Sequence, residues 1–222
     1  VSMGSVLSLW HEARSDGVDD PAHAALPDRA ALEEASEHTG VSLLEIDEEA
    51  STLRLTDPQA RLDVGAVAKG YAVEQVCRSA PAGLLVSVGG NVRATGPKPE
   101  GDAPWVVGVQ EPDGGKQDYL HTLYIERQSV VSSGDYQRYF TVDGVRYHHI
   151  IDPDTLRPGG LWRAVTVVCA DSGLADGLST ALFLLPQDEG AALARRCGAQ
   201  AMWVADDGAL LYTDGFMELV RT

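Results

Sequence analysis

The chain has 222 residues, of which 44% are hydrophobic, so it can form a folded core as one large domain or two small ones. Its 17 basic and 33 acidic residues give a net charge of −16, and such a surface repels nucleic-acid phosphates and anionic lipid headgroups. We therefore expect no nucleic-acid partner, and no apolar run reaches the roughly 20 residues that a membrane span requires.

The beginning of the chain is predicted to combine an apolar segment, a loop, a helix and two short strands. Residues 6–10 (VLSLW) are apolar enough to lie in a core, whereas the polar residues 11–27 are typical of an exposed loop. A helix is predicted over residues 28–38, where a proline and an acid precede an apolar face. Short strands are predicted near residues 43–46 and 52–55.

The middle of the chain is predicted to contain a helix followed by several strands. Apolar residues recur at helical spacing over residues 68–79, which predicts a helix packed on one side. A double glycine interrupts an apolar strand over residues 83–96. Residues 105–140 are expected to form several strands, and residues 143–153 the return of a hairpin.

The end of the chain is predicted to contain a buried strand, two helices and a hairpin. The strand covers residues 163–170, the helices cover residues 175–185 and 188–197, and the hairpin covers residues 201–215 with an Asp-Gly turn. Strands and helices do not alternate in regular βαβ order. We therefore predict an α+β fold with mixed or antiparallel sheets and packed helices, in a single domain over residues 1–222.

Asp176 and Thr180, in the sequence "ADGLSTALF", are four residues apart, so a helix places both on one face. A carboxylate and a hydroxyl there could hold a hard cation such as Mg²⁺, which takes oxygen ligands and usually keeps several waters. The alternative is an acid favoured by the helix dipole and a threonine bonded to its own helix. Spacing alone favours that alternative.

His148 and His149 lie next to each other in "RYHHIIDPDT", before an Asp-Pro turn. On a strand they face opposite sides, so only one can point into a given pocket. A histidine here could act as an acid or a base, or could bind a phosphate. The neighbouring Asp152 could also serve only to form the turn.

Lys69 follows a glycine-spaced turn in "RLDVGAVAKGYAVEQV", at the start of the helix predicted over residues 68–79. The stretch has neither the P-loop spacing nor a G-x-G-x-x-G pattern. Free N–H groups at the helix start, together with Lys69, could bind an anion. A simple turn from strand to helix is equally consistent with these residues.

Five motifs, taken together and in this order, resemble those of the ApbE family, the FAD:protein FMN transferases. The motifs are "LDVGAVAKGYAVE", "VSVGGNVRATG", "VVSSGDYQRYF", "RYHHIIDPDT" and "ADGLSTALF". Each is weak alone, but five in the same order are highly specific, and the resemblance runs from about residue 6 to near the C-terminus. It implies an ApbE-like, T-fold-like domain.

The resemblance also implies a reaction and a set of site residues. The family's enzymes use magnesium to transfer FMN from FAD to a threonine or serine hydroxyl of a target flavoprotein, with release of AMP. Carried over by position, the residues expected to bind FAD are Asp63, Lys69, Gly89, Gly90, Ile150 and Ile151. Those expected to assist the transfer are His149 and His148, and those expected to hold Mg²⁺ are the Ala66 backbone oxygen, Asp176 and Thr180.

The sequence departs from the family pattern at several positions. Ser132 replaces the usual threonine, and Glu74 replaces the usual aspartate. Leu156 occupies a position where the family has glycine, so we expect the turn there to differ. The family also carries a region before residues 6–10 that contributes to the flavin pocket, so we expect a core fragment or a shortened homologue with weak affinity for FAD.

Two other functions stay open at this stage. One is an FAD pyrophosphatase, in which water replaces the protein hydroxyl and the products are FMN and AMP. The other is a flavin-binding remnant without activity.

The opening "VSMGSVLSLWHEAR" has no signal-peptide pattern and resembles sequence from within a domain, so we expect an export signal to have been removed. The resemblance itself implies an exported, possibly lipid-anchored protein.

Overall fold

The computed structural model describes residues 2–115 and 118–221 and contains five helices and twelve strands within them. The helices are α1 (Gly4–Asp19), α2 (Arg29–Ser36), α3 (Ala68–Ser79), α4 (Ser172–Leu184) and α5 (Gln187–Arg196). The strands are β1 (Leu44–Asp47), β2 (Thr52–Leu55), β3 (Leu85–Val88), β4 (Asn91–Ala94), β5 (Trp105–Gln110), β6 (Tyr119–Ile125), β7 (Ser129–Gly134), β8 (Tyr139–Val142), β9 (Val145–His148), β10 (Ala164–Cys169), β11 (Gln200–Val204) and β12 (Leu210–Tyr212). All strand pairings between them are antiparallel, which confirms the predicted fold class.

Contacts within the chain group these elements into two units. The first unit is formed by the chain up to Gly65 together with Gln137–Pro158, and the second by Ala66–Tyr136 together with the chain from Gly159 onward. The prediction of a single domain stays a prediction. Among the helices described, none is long and apolar enough to cross a membrane.

The first unit contains α1, α2 and the hairpins β1–β2 and β8–β9. Val6 and Trp10 on α1 are buried against Phe140 and Leu156, which confirms that residues 6–10 belong to a core. The Trp10 indole also donates a hydrogen bond to the Leu156 carbonyl at 3.0 Å. This contact joins the beginning of the chain to the turn that follows β9.

The predicted loop over residues 11–27 is wrong for residues 11–19, because α1 continues to Asp19. After its first turn, α1 is buried only at Trp10 and Gly17, which lie on the same face as Val6, and Gly17 has no side chain. A Cβ at Gly17 would lie 2.7 Å from the Phe140 ring. Because Gly17 packs closely without an apolar side chain, the sequence of residues 11–19 lacks the apolar spacing from which a helix could have been predicted.

The second unit contains a six-stranded sheet in the order β12-β11-β10-β7-β4-β3 and the two-stranded sheet β5–β6. Every residue of β10 is buried, as predicted for residues 163–170. Ala164 and Val168 lie in the core shared with β5 and β6. The Ser133 hydroxyl on β7 is hydrogen-bonded to the Ser179 hydroxyl of α4 at 2.8 Å. Helix α4 therefore covers the face of the sheet opposite to the one that packs on β5 and β6.

The remaining predictions for the second unit differ from the structure mainly at element ends. Helix α3 has the predicted bounds, and the double glycine joins β3 to β4 as expected. Helix α4 begins earlier than predicted, because Asp171 caps it by accepting a hydrogen bond from the Leu174 N–H at 2.9 Å. Residues 105–140 form strands as predicted, apart from residues 116–117, which lie outside the described residues.

Leu156 has φ +59°, in the left-handed region that glycine enters most easily. We expected the turn here to differ from the family's, but the backbone still takes a conformation of the kind that favours glycine. The Leu156 side chain is only 6% exposed and packs in the core of the first unit. Packing of this side chain therefore offsets the strain of its backbone.

We predict that Leu156→Gly destabilises the protein by about 1–3 kcal/mol. The change relieves about 1–2 kcal/mol of left-handed strain but removes a buried leucine side chain, a loss of about 2–5 kcal/mol. Urea unfolding measures the difference. A variant as stable as the parent, or more stable, would show that strain outweighs packing at this turn.

Candidate active site

Helices α3 and α4 approach each other at Gly70, and a side chain there would prevent the contact. A Cβ at Gly70 would lie 2.2 Å from the Ser172 carbonyl oxygen and 2.5 Å from the Asp176 Cβ. Real Cβ atoms do not come so close to a backbone oxygen. Glycine at this position therefore brings the first turn of α3 against the first turns of α4.

The Asp176 carboxylate lies at the start of α3 and accepts hydrogen bonds from it. The Gly70 N–H donates to Oδ2 at 2.8 Å, and the Lys69 ammonium contacts Oδ1 at 3.0 Å and Oδ2 at 3.3 Å. Val67, at the N-cap of α3, supplies no side-chain hydrogen bond. Asp176, which is 3% exposed, thus caps α3 from the neighbouring helix, at the end where the helix dipole favours a negative charge.

Glu74 performs the reciprocal function for α4. Its Oε2 accepts a hydrogen bond from the Ser172 N–H at 2.9 Å and from Arg93 Nε at 3.1 Å. Each helix of the pair therefore receives a carboxylate from the other at its first turn. The sequence indicated Glu74 only as a departure from the family pattern. The signal that could have indicated its role is an acid between the apolar positions Val73 and Cys77 of the buried face.

The Ala66 carbonyl oxygen accepts no hydrogen bond within residues 2–115 and 118–221. Ala66 precedes the N-cap residue Val67, whose carbonyl accepts the first helical hydrogen bond, from the Tyr71 N–H at 2.9 Å. The Ala66 oxygen therefore lies outside the hydrogen bonds of the helix and is available to a ligand. The Gly70 N–H, in the first turn of α3, donates to Asp176 instead of to a helical carbonyl.

These atoms fit the oxygen ligands that Mg²⁺ prefers. Asp176 supplies a carboxylate, Thr180 a hydroxyl one turn further along α4, and Ala66 a carbonyl without a donor. No cluster of three or more histidine, cysteine, aspartate or glutamate side chains that could hold a metal occurs among the residues the structure describes. A cation here would thus have one charged protein ligand and would complete its shell with water or substrate phosphate.

The Gly89-Gly90 turn lies beside Lys69. A Cβ at Gly89 would be 3.7 Å from Lys69 Cδ, and the two glycines have φ of +54° and +86°. Asn91 follows the turn and accepts a hydrogen bond from the Ser172 hydroxyl at 2.6 Å. The turn is thereby tied to the start of α4, and its backbone is not covered by side chains of its own.

Asp63 has a local role in the first unit. Its Oδ1 accepts a hydrogen bond from the Gly65 N–H at 2.7 Å, and its Oδ2 lies 3.7 Å from His11 Nε2. The first contact is that of an Asx turn, which fixes the backbone just before Ala66. The predicted contact between Asp63 and FAD stays a prediction.

His148 and His149 differ sharply in their surroundings. His148 ends β9, is 7% exposed, and its Nδ1 accepts a hydrogen bond from the Ile150 N–H at 3.2 Å. His149 Nδ1 is buried and has no hydrogen-bond partner among the described residues. Burial, with smaller contributions from Arg138, His148 and Arg14, lowers the pKa of His149 to about 3, so its ring is neutral near pH 7.

Ile150 and Ile151 are each 4% exposed, so their side chains belong to the interior of the first unit. A contact with a flavin phosphate would therefore use their backbone atoms. The predicted site residues occur in both units. The first unit contains Asp63, His148, His149, Ile150 and Ile151, and the second contains Ala66, Lys69, Gly89, Gly90, Asp176 and Thr180.

Comparison with known proteins agrees with the motifs. A model of the ApbE family matches residues 1–203. The FAD:protein FMN transferase of Treponema pallidum is 33% identical over 239 residues, which cover 99% of this chain and 64% of the relative. That of Vibrio cholerae is 32% identical, over 94% of this chain and 62% of the relative. The chain thus spans slightly less than two thirds of the length of these curated relatives.

Solved structures give the same result for the fold. The ApbE protein of Thermotoga maritima is 34% identical with a TM-score of 0.87, and the match covers 100% of this chain and 71% of that protein. The apo flavinyl transferase ApbE of Pseudomonas stutzeri is 33% identical with a TM-score of 0.70, over 88% of this chain and 62% of that protein.

We predict that Gly70→Ala destabilises the protein by about 1–3 kcal/mol or more, because the new methyl group overlaps backbone atoms of α4. The gain in helix propensity, about 1 kcal/mol, is smaller. Urea unfolding checks this against Gly160→Ala, where a Cβ meets nothing within 4 Å and the change should stay within about 0.5 kcal/mol. Equal stability of the two variants would contradict the close approach at Gly70.

We predict that His149 makes the protein less stable as the pH falls below about 6.5. The ordinary histidine pKa of 6.5 applies to the unfolded chain, whereas the folded pKa is about 3, so only the unfolded chain takes up a proton between these values. The stability is complete above pH 6.5 and is lost as the pH falls toward 3, by at most about 1.4 kcal/mol per pH unit.

Unfolding free energies of the parent and of His149→Gln, measured between pH 7 and pH 4.5, test this sign. The parent should lose stability more steeply than the variant. His23→Gln, at an exposed histidine, serves as the control and should follow the parent. Parallel curves for the parent and His149→Gln would show that His149 is not held neutral.

Proposed function

The chain belongs to the ApbE family, and on that premise we propose that it transfers FMN from FAD to a threonine or serine hydroxyl of a target flavoprotein, releasing AMP. The observation that carries the proposal is the arrangement at the start of α3, where the Asp176 carboxylate of α4 contacts Lys69 and the Gly70 N–H and the Ala66 carbonyl just before the helix is free. Such an arrangement suits a dinucleotide whose pyrophosphate is accompanied by a cation. The Treponema pallidum and Vibrio cholerae relatives bear the corresponding enzyme name.

In the proposed reaction, the acceptor hydroxyl oxygen forms a bond to the phosphorus of the FMN half of FAD. The bond between that phosphorus and the bridging oxygen breaks, and its electron pair leaves with AMP. The hydroxyl proton passes to a base or to water. The protein therefore has to position two groups and stabilise charge on the phosphates, with little covalent work of its own.

Asp176, Thr180 and the Ala66 carbonyl are the residues that would hold Mg²⁺. When bound, the ion would neutralise charge on the pyrophosphate. Lys69 supplies a second positive charge, and the Gly89-Gly90 turn beside it offers backbone that a phosphate can approach closely. These contacts explain how a protein with a net charge of −16 could bind a dinucleotide.

His149 is the residue that we propose to accept the hydroxyl proton. Its Nδ1 is not occupied by another donor in the described chain, so it can accept a proton. His148 Nδ1 is already bonded to the Ile150 N–H, which favours His149 for this role. The assignment rests on the family resemblance for its location relative to the substrate.

Export is part of the same proposal and rests on the family resemblance alone. A target flavoprotein outside the cytoplasm would then be the natural acceptor. Fractionation of cells that express the complete gene would test this directly. Recovery of the protein only from the cytoplasmic fraction would contradict it.

Incubation with FAD and MgCl₂, with and without a threonine-bearing acceptor peptide, tests the reaction. We expect AMP and a peptide whose mass increases by that of FMN less one water, both only when the peptide is present. A peptide with valine in place of the threonine is the matched control. AMP formed without acceptor would favour an FAD pyrophosphatase, and no AMP in either sample would contradict both activities.

We predict that Asp176→Asn reduces turnover at limiting Mg²⁺ by more than about 100-fold, since even outer-shell partners of metal ligands contribute about 10- to 100-fold. Asparagine keeps the size and an oxygen acceptor for the Gly70 N–H, so folding should be retained. The control is Asp188→Asn at an exposed position of α5, which should behave as the parent. Unchanged turnover in a folded Asp176→Asn protein would exclude the proposed cation ligand.

A further inference from the structure

We propose that Lys69 and a divalent cation compete for the Asp176 carboxylate, so that binding of the cation releases the Lys69 ammonium toward the dinucleotide phosphates. The first half concerns only the protein and the cation. The second half rests on the proposed function. Three properties of the site support the exchange.

The first property is that the buried Asp176 carboxylate requires a neighbouring positive charge even when no metal is bound. The residue is 3% exposed, and a buried carboxylate without a partner is strongly unfavourable. Lys69 meets this need in the structure by contacting both carboxylate oxygens, at 3.0 and 3.3 Å. The ammonium is thus the resident positive charge of the proposed cation site.

The second property is that the two cations need the same oxygens. Because Nζ of Lys69 lies within hydrogen-bond distance of both Asp176 oxygens, an ion that binds this carboxylate comes close to the ammonium. Two positive charges at such a distance repel each other, and Asp176 is the only carboxylate that contacts Lys69 in the described chain. Binding of the ion therefore favours movement of the Lys69 ammonium away from the Asp176 carboxylate.

The third property is that Lys69 can leave without disturbing the helix pair. Its side chain is 38% exposed, compared with 5% for Asp176, and it passes the Gly89-Gly90 turn, which has no side chains to obstruct it. The hydrogen bond from the Gly70 N–H to Asp176 Oδ2, 2.8 Å long, is made by the backbone and does not involve the lysine side chain. The carboxylate thus keeps its orientation while its cation changes.

The exchange makes binding of the cation and binding of the dinucleotide cooperative. Before the cation binds, the Lys69 ammonium is engaged by Asp176 and is poorly available to a phosphate. After the cation binds, the cation and the Lys69 ammonium are both available to the dinucleotide phosphates. The chain would therefore bind FAD tightly only in the presence of the cation.

Titration of the chelator-treated protein with Mg²⁺ alone, by calorimetry and without FAD, tests the competition. Lys69→Met removes the competitor, so we expect it to bind Mg²⁺ about tenfold more tightly than the parent, which corresponds to the loss of one charged hydrogen-bonded pair. The control is Lys98→Met, at a lysine that lies over the Trp105 ring, and its affinity should be unchanged. Equal or weaker Mg²⁺ binding by Lys69→Met, including no detectable binding, would overturn the proposal.

Lys69→Arg keeps the test valid if Lys69→Met does not fold. A guanidinium binds a carboxylate through two parallel hydrogen bonds and is a stronger competitor than an ammonium, so Mg²⁺ affinity should fall below that of the parent. Equal or tighter binding would overturn the competition. These outcomes are distinct from failure of the proposed function, which would appear as absence of AMP formation while Lys69 variants still altered Mg²⁺ affinity.

Discussion

The interaction on which the second unit's site depends is the hydrogen bond between the Asp176 carboxylate and the Gly70 N–H, 2.8 Å long. It requires a glycine, because α3 and α4 meet at a distance that no side chain permits. It satisfies a donor at the start of α3 that Val67 cannot satisfy. The Ala66 carbonyl, which precedes the N-cap of α3, accepts no hydrogen bond among the described residues. One contact therefore joins two helices and orients a carboxylate at the end of α3 where a second oxygen is free.

The free energies involved show why the contact between α3 and α4 needs both Gly70 and a paired Asp176 carboxylate. An alanine at a helix position is usually favoured over glycine by about 1 kcal/mol, yet the contact with α4 excludes it at Gly70. A buried carboxylate is unfavourable unless it is paired, and Asp176 is paired with a backbone N–H and with Lys69. Glu74 makes the same kind of contact in the opposite direction, through the Ser172 N–H. The helix pair is thus held by polar contacts at the place where ligands are proposed to bind.

Much of this arrangement could be predicted from local sequence, and the rest depends on contacts between distant segments. The bounds of α3 follow from its apolar periodicity, and the common face of Asp176 and Thr180 follows from their spacing. Helix α1 was not predicted as a helix, because residues 6–10 indicated only a core segment and Gly17 packs closely without contributing an apolar side chain. The capping function of Glu74 requires knowledge that α3 meets α4, which spacing does not contain. The low pKa of His149 likewise depends on burial within the folded unit.

In the proposed cation site, formed by the Asp176 carboxylate and the Ala66 carbonyl, Lys69 occupies the carboxylate until the ion binds. A crystal structure of this chain soaked in Mn²⁺, with the ion located by its anomalous signal, tests this exchange. We expect an ion coordinated by Asp176 and the Ala66 oxygen, with Lys69 moved away and the Gly70 hydrogen bond intact. An ion bound elsewhere, with the Lys69–Asp176 pair unchanged, would contradict it.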